Sequence, residues 1–330
     1  MHRFAVVLGL SLLPALGADW SPRRAADYMD SRQKEWFAWP TANGGAKPCI
    51  SCHTGLTYLL ARPALRRVLG ESGPTEYETG LLESLRSRVD KKAPDTAALG
   101  VESVMAALFL RTPEAYDRMW SLQIREGKEA GIWKWFHLDL EPWEEPESDL
   151  FGASLAALAV NAAPAEYRNK PEVKERMAAL SAFLHQPHEA QPLHNHLMQA
   201  WASGDEKLRA RTAARAFEQQ RPDGGWTMEG IGPFKPHPNA PAVKPGSNTY
   251  ATAFTTYVLM QCGVPASNPA MAKAIDWLRT HQSEHGYWYA DSLNKEYKPD
   301  SMEIRFMRDA ATGFASLALV EAAEQARAHR

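Results

Sequence analysis

Gln219-Gln220-Arg221-Pro222-Asp223-Gly224-Gly225-Trp226 is the stretch that decides the fold, because it recurs. Gly131-Ile132-Trp133 and Gly286-Tyr287-Trp288 repeat its Gly-x-Trp signature behind a Gln-bearing lead-in. After a loop, each copy is followed by a segment with small and apolar residues at helical spacing, over 150–160, 250–262 and 309–322. Three more segments of this kind begin near 53, 101 and 193, so six inner helices start 43 to 59 residues apart. That period suits one helical hairpin per repeat. Six more polar segments precede them, at 22–37, 74–89, 113–124, 171–185, 205–220 and 269–281, mostly opened by Pro or Asp as helix starts tend to be. Strand signals are almost absent. The pattern predicts an all-α chain, an (α/α)6 toroid of six hairpins, with an open solenoid as the competing architecture. No repeat has an obvious polar cap, which favours the ring.

Through these Gln…Gly-x-Trp motifs, over roughly residues 100–322, the chain resembles the α/α-toroid superfamily of squalene-hopene cyclases and prenyltransferases. The resemblance implies that Gln caps a helix end and that Trp133, Trp226 and Trp288 are structural rather than catalytic. It does not carry activity with it. The cyclases' Asp-x-Asp-Asp proton donor is missing from the acidic stretch Asp139-Leu140-Glu141-Pro142-Trp143-Glu144-Glu145-Pro146-Glu147-Ser148-Asp149. No Asp, Cys and His zinc triad of the protein prenyltransferases is apparent, and the chain is about half the size of a two-domain hopene cyclase.

The second motif is Cys49-Ile50-Ser51-Cys52-His53. C-x-x-C-H reads as covalent attachment of one haem c: the two thiols add to the porphyrin vinyl groups, and His53 is the first axial iron ligand. Chance, a disulfide beside an incidental histidine, and half of a zinc site compete with that reading. Zinc would want four ligands, and no second pair completes a set. Cys262 reads as a buried free thiol. Cys49–His53 falls in the loop between outer and inner helices of the first hairpin, the same end of the ring as the Gly-x-Trp loops. Haem is therefore expected at the ring's mouth, with no separate cytochrome domain.

A second axial ligand would come from another loop or inner helix at that end. Met307 is the chosen candidate; Met302, Met105, His194 and His196 are the others, and an open sixth position is equally allowed. The acidic loop could supply paired carboxylates for acid–base work. The blander reading is a solvated loop in which Asp149 caps the following helix, with Asp309 and His137 read in the same way. Tyr287-Trp288-Tyr289 and Trp133-Lys134-Trp135-Phe136 could line an apolar cavity for a terpenoid or quinone-like ligand, or simply pack.

Residues 1–18 read as a secretory signal: His2 and Arg3, an apolar run from Phe4 to Leu16, then Gly17 and Ala18. Residues 19–330 are then a single domain in the periplasm or outside the cell. That apolar run is short for a membrane span. A net charge of −2 and the lack of a basic run set nucleic acid aside. The leading expectation is an exported monohaem c-type cytochrome, binding haem and transferring electrons to a periplasmic redox partner. The alternatives are an enzyme acting on an apolar or carbohydrate substrate in the toroid cavity, and a haem-based sensor, so whether the chain is an enzyme stays open.

Overall fold

In a computed structural model the described residues are 20–42, 48–89, 97–235, 237–242, 244–290, 292–299 and 301–328. The expected leader lies outside them. Twelve ring helices alternate between an outer and an inner layer. The outer ones are α1 (Pro22–Ala38), α3 (Glu76–Val89), α5 (Pro113–Ser121), α7 (Pro171–Leu184), α9 (Glu206–Glu218) and α11 (Pro269–Thr280). The inner ones are α2 (Thr57–Leu69), α4 (Ala97–Leu110), α6 (Ser148–Asn161), α8 (Leu193–Ser203), α10 (Thr249–Gln261) and α12 (Phe306–Ala328). No strand is present among the described residues, only isolated bridges.

The outer helices start where side chains or proline satisfy the first amides. Ser21, Thr112, Asp205 and Asn268 cap α1, α5, α9 and α11, and Pro22, Pro113, Pro171 and Pro269 occupy the first turn. The inner helices α6, α10 and α12 are buried over nearly all their faces, and they are rich in Ala, Ser and Thr. Small side chains allow the helix axes to approach on both sides, as an inner layer requires. α12 packs against both α10 and α2, so the last hairpin returns to the first.

The Gly-x-Trp copies are clasps between consecutive hairpins. Gln123 Nε2 donates to Gly131 O at 2.9 Å and Arg176 O at 3.2 Å; Gln220 Nε2 donates to Gly224 O at 2.8 Å and Ala270 O at 2.9 Å. Gln282 repeats the geometry on Gly286 O at 2.9 Å and Ser21 O at 3.1 Å, while its Oε1 accepts from Ser21 N at 2.6 Å. The third clasp therefore joins hairpin six to the cap of α1 and closes the ring. The indoles of Trp133, Trp226 and Trp288 each donate Nε1–H to a carbonyl of the preceding outer helix, those of Met119, Ala216 and Leu278, at 2.6 to 2.7 Å. Glycine is required in the clasp. Gly286 has φ +90°, and a Cβ there would lie 2.1 Å from the carbonyl oxygen of Arg24; Gly224, at φ +95°, would strike Lys273 in the same way.

A buried ionic knot strengthens the closure. Asp309 on α12 accepts from Tyr28 Oη at 2.8 Å and Arg32 Nε at 2.8 Å, both on α1, and from Thr54 Oγ1 at 2.9 Å. Arg32 is 1% exposed and also bonds Glu35 at 2.5 Å. Burial alone would lower the Arg32 pKa, but the Asp309 carboxylate outweighs it and the guanidinium stays charged.

Candidate functional site

The Cys49–His53 segment enters the ring at its mouth. Cys49 N donates to Ala42 O at 2.9 Å and Cys49 O accepts from Trp36 Nε1 at 2.8 Å, which fixes the chain ahead of the turn. Ser51 Oγ caps that turn, accepting from Thr54 N at 2.8 Å, and a π-helical turn, Cys52–Leu56, leads into α2. The Cys52 thiol is buried in the core, and desolvation, helped by Glu144, holds it well above the ordinary thiol range. Cys49 is half-buried and its thiol is also raised by desolvation. His53 is 8% exposed, with Phe306 stacked 5.2 Å from its ring and Trp143 tilted against it at 4.7 Å. Burial lowers its pKa to about 4, so it is neutral at pH 7.

This geometry corrects the expectation of a covalent haem c on Cys49, Cys52 and His53. The rings of Trp143 and Phe306 fill the space beside the imidazole, and Cys52 is packed with Ile50 and Leu56 in the main core. No group of three or more His, Cys, Asp and Glu side chains that could hold a metal occurs among the described residues. The residues do not fit the group, and the cytochrome, iron-binding and electron-transfer reading is withdrawn with it.

The second-ligand candidates are dispersed. Met307 and Met105 are buried in the main core, and His194 is 0% exposed. Met302 lies apart with Trp36 and Ala42, in the cluster against which Cys49 and Phe306 pack. His196 faces the groove beside α9. Cys262 is a free thiol raised to about 11 by burial, as a packed cysteine should be.

The ring's centre is filled, not hollow. Phe151, His194, Tyr250, Phe254 and Phe314 stack across it, with His194 and Phe254 centroids 4.2 Å apart. Their polar atoms are satisfied: His194 Nε2 meets Tyr250 Oη at 2.8 Å and Nδ1 meets Asn195 Oδ1 at 2.8 Å. An apolar ligand inside the ring has no room among these side chains.

The acidic loop covers that mouth. Leu138 N donates to Glu144 O at 2.7 Å, Trp135 Nε1 to Trp143 O at 2.9 Å and Glu145 N to Ser148 Oγ at 3.0 Å. These bonds seat Trp143, 0% exposed, over Tyr250 and Phe151, and they draw the flanking acids inward. The loop is solvated only in part: Glu141 is 7% and Glu145 3% exposed and Glu144 is half-buried, while Asp139 and Glu147 stay exposed. Asp149 does not cap α6 but accepts from or donates to His137 Nε2 at 2.8 Å, and Ser148 serves the loop instead. Asp309, read as a possible cap, is the hub of the buried knot.

Desolvation is the largest cause lifting the carboxyls of Glu141, Glu144 and Glu145, each to about 7. Glu141 is raised further by Glu145 and Glu229, and Glu145 by Glu147. Glu144 is close enough to influence both Cys52 and Tyr297, so it sits between the first and last hairpins. Nearby, beside Tyr297, Asn294 Oδ1 is buried without a hydrogen-bond partner. Neither Asn294 nor Tyr297 belongs to any motif, and sequence reasoning did not mark them.

No family model matches the chain, and no curated protein matches it. Among solved structures, it is similar to a glycosyl hydrolase family 88 protein from Bacteroides vulgatus at 13% identity, covering 93% of this chain and 92% of that one with a TM-score of 0.40. It is similar to a polysaccharide lyase at 14% identity, covering 94% and 91%, TM-score 0.41. A protein described as a possible member of the GH105 family, from Salmonella enterica serovar Paratyphi A, matches at 13% identity over 92% and 82%, TM-score 0.37. Likeness at this level says nothing of the reaction.

Proposed function

We propose that the mouth of the toroid is an acid–base site that cleaves a carbohydrate, with Glu144 as the proton donor. The observation that carries the reading is the half-buried carboxyl of Glu144, lifted to about 7 by desolvation where the loop meets the first and last hairpins. A general acid for a glycosidic leaving group must hold its proton near neutral pH, and desolvation is how a glutamate does so. Glu145 raises Glu141, so one of the pair is the candidate base that takes a proton from water. In hydrolysis, Glu144 passes its proton to the leaving oxygen, water adds to the sugar carbon, and the base takes the second proton.

A hydroxyl-rich substrate suits the polar groups of the mouth, where Asn294 Oδ1 is an acceptor without a partner beside Tyr297. Of the four residues singled out for haem, His53 packs between Trp143 and Phe306. Cys49 and Cys52 hold the turn, and Met307 is core.

The test is release of reducing ends from a panel of neutral and acidic oligosaccharides by the wild type and by Glu144→Gln. The reading expects a substrate in the panel, with a loss of about 10²–10⁴-fold in the variant at retained folding. Undiminished turnover by Glu144→Gln would remove Glu144 from the chemistry.

A further inference from the structure

Away from the mouth, a groove of about 650 Å³ runs between the loop that follows α7 and the outer helix α9. Lys207, Arg211 and Arg215 line it. They are four residues apart on α9, so they form one stripe on one face of the helix. All three are exposed, and none lies within ion-pair distance of a carboxylate among the described residues. Two acids also line the groove. Asp205 is committed to capping α9, its Oδ1 accepting from Lys207 N at 2.8 Å and Leu208 N at 3.1 Å. Glu189 is the remaining one, so the cations are in excess.

The other wall carries His185, His188 and His196, and the hydrogen bonds fix what each offers. His185 Nδ1 meets Ser181 O at 2.7 Å and His188 Nε2 meets Phe183 O at 3.0 Å. A carbonyl only accepts, so both nitrogens carry the proton. Gln199 Nε2 donates to Leu184 O, which leaves Gln199 Oε1 to accept from His196 Nδ1 at 3.1 Å. His196 Nε2 is then a bare lone pair, buried without a partner. Burial and the nearby Arg215, His188 and Arg211 keep that ring neutral. One wall of the groove is thus cationic, while the other presents imidazole lone pairs that can only accept.

We infer that this groove binds a phosphorylated polyol such as a sugar phosphate, its phosphate on Lys207, Arg211 and Arg215 and its hydroxyls donating to the three imidazoles. An anion without hydroxyls leaves the lone pairs unserved, and a neutral sugar leaves the cations unserved. The volume exceeds what a bare phosphate fills and falls within the range of small-ligand sites.

The test is isothermal titration of the full chain at low salt with glucose 6-phosphate, inorganic phosphate and glucose, repeated on R211A/R215A. Both arginines are exposed, so the variant should melt as the wild type does. The inference expects glucose 6-phosphate to bind at least tenfold more tightly than inorganic phosphate, with glucose weaker still, and to lose tenfold or more in R211A/R215A. His196→Phe should weaken glucose 6-phosphate while leaving inorganic phosphate unchanged. No binding of glucose 6-phosphate at millimolar concentration, equal affinity for inorganic phosphate, or unchanged binding by R211A/R215A would each overturn it.

Discussion

Removing the Asp309 carboxylate tests how the ring is closed. Asp309→Ala deletes the acceptor shared by Tyr28, Arg32 and Thr54 and leaves Arg32, 1% exposed, without its buried counter-charge. Breaking a buried pair from one side costs about 3–5 kcal/mol, because the remaining charge keeps its desolvation penalty. Glu35 still holds one Arg32 nitrogen at 2.5 Å, and it is itself partly in water, so the lower end, about 3 kcal/mol, is expected. At roughly 2 °C per kcal/mol for a domain of this size, the melting temperature followed by circular dichroism should fall by about 6 °C. The double change Arg32→Met/Asp309→Leu should recover much of that loss, since it leaves no orphan charge. A single-variant loss below about 1 kcal/mol, or no recovery in the double variant, would refute the assignment of this knot as a buried ion pair at the closure.

Two further perturbations probe the clasp and the acidic loop. Gly286→Ala forces a Cβ toward the Arg24 carbonyl at a φ of +90°, so a loss of about 2 kcal/mol or more is expected in urea unfolding, whereas Gly263→Ala, with open space around its Cβ, should lose less. The Glu144 carboxyl has a folded pKa near 7 against 4.5 for the free group, so its proton stabilises the fold below pH 4.5 and that contribution is lost as pH rises through 7. Glu144→Gln should therefore match the wild type in stability near pH 4.5 and exceed it by up to about 3 kcal/mol at pH 8, read from paired denaturation curves.

The ring was legible because its determinants are local and repeated. A glutamine, a glycine with positive φ and an indole recur at the same place in three hairpins, and the proline and aspartate helix starts fall within two residues of the observed ones. Closure was not legible, since Gln282 reaches Ser21 and Asp309 reaches Arg32 across almost the whole chain. The motif at Cys49–His53 misled for a related reason. Five residues specify a haem only if the surrounding fold leaves room, and that room is occupied by Trp143 and Phe306, from hairpins three and six. The acidic loop carried a signal that was passed over. Trp143 lies in the middle of the run, and an indole buried there draws Glu141 and Glu145 out of water and Glu144 partly so.

The central claim is a Glu144 that keeps its proton at neutral pH, and a carbon-13 NMR titration of the glutamate side-chain carboxyls measures that directly. With Glu144→Gln assigning the resonance, the account expects a midpoint near 7. A midpoint at the ordinary glutamate value, about 4.3, would show a solvated carboxylate and contradict the acid–base site.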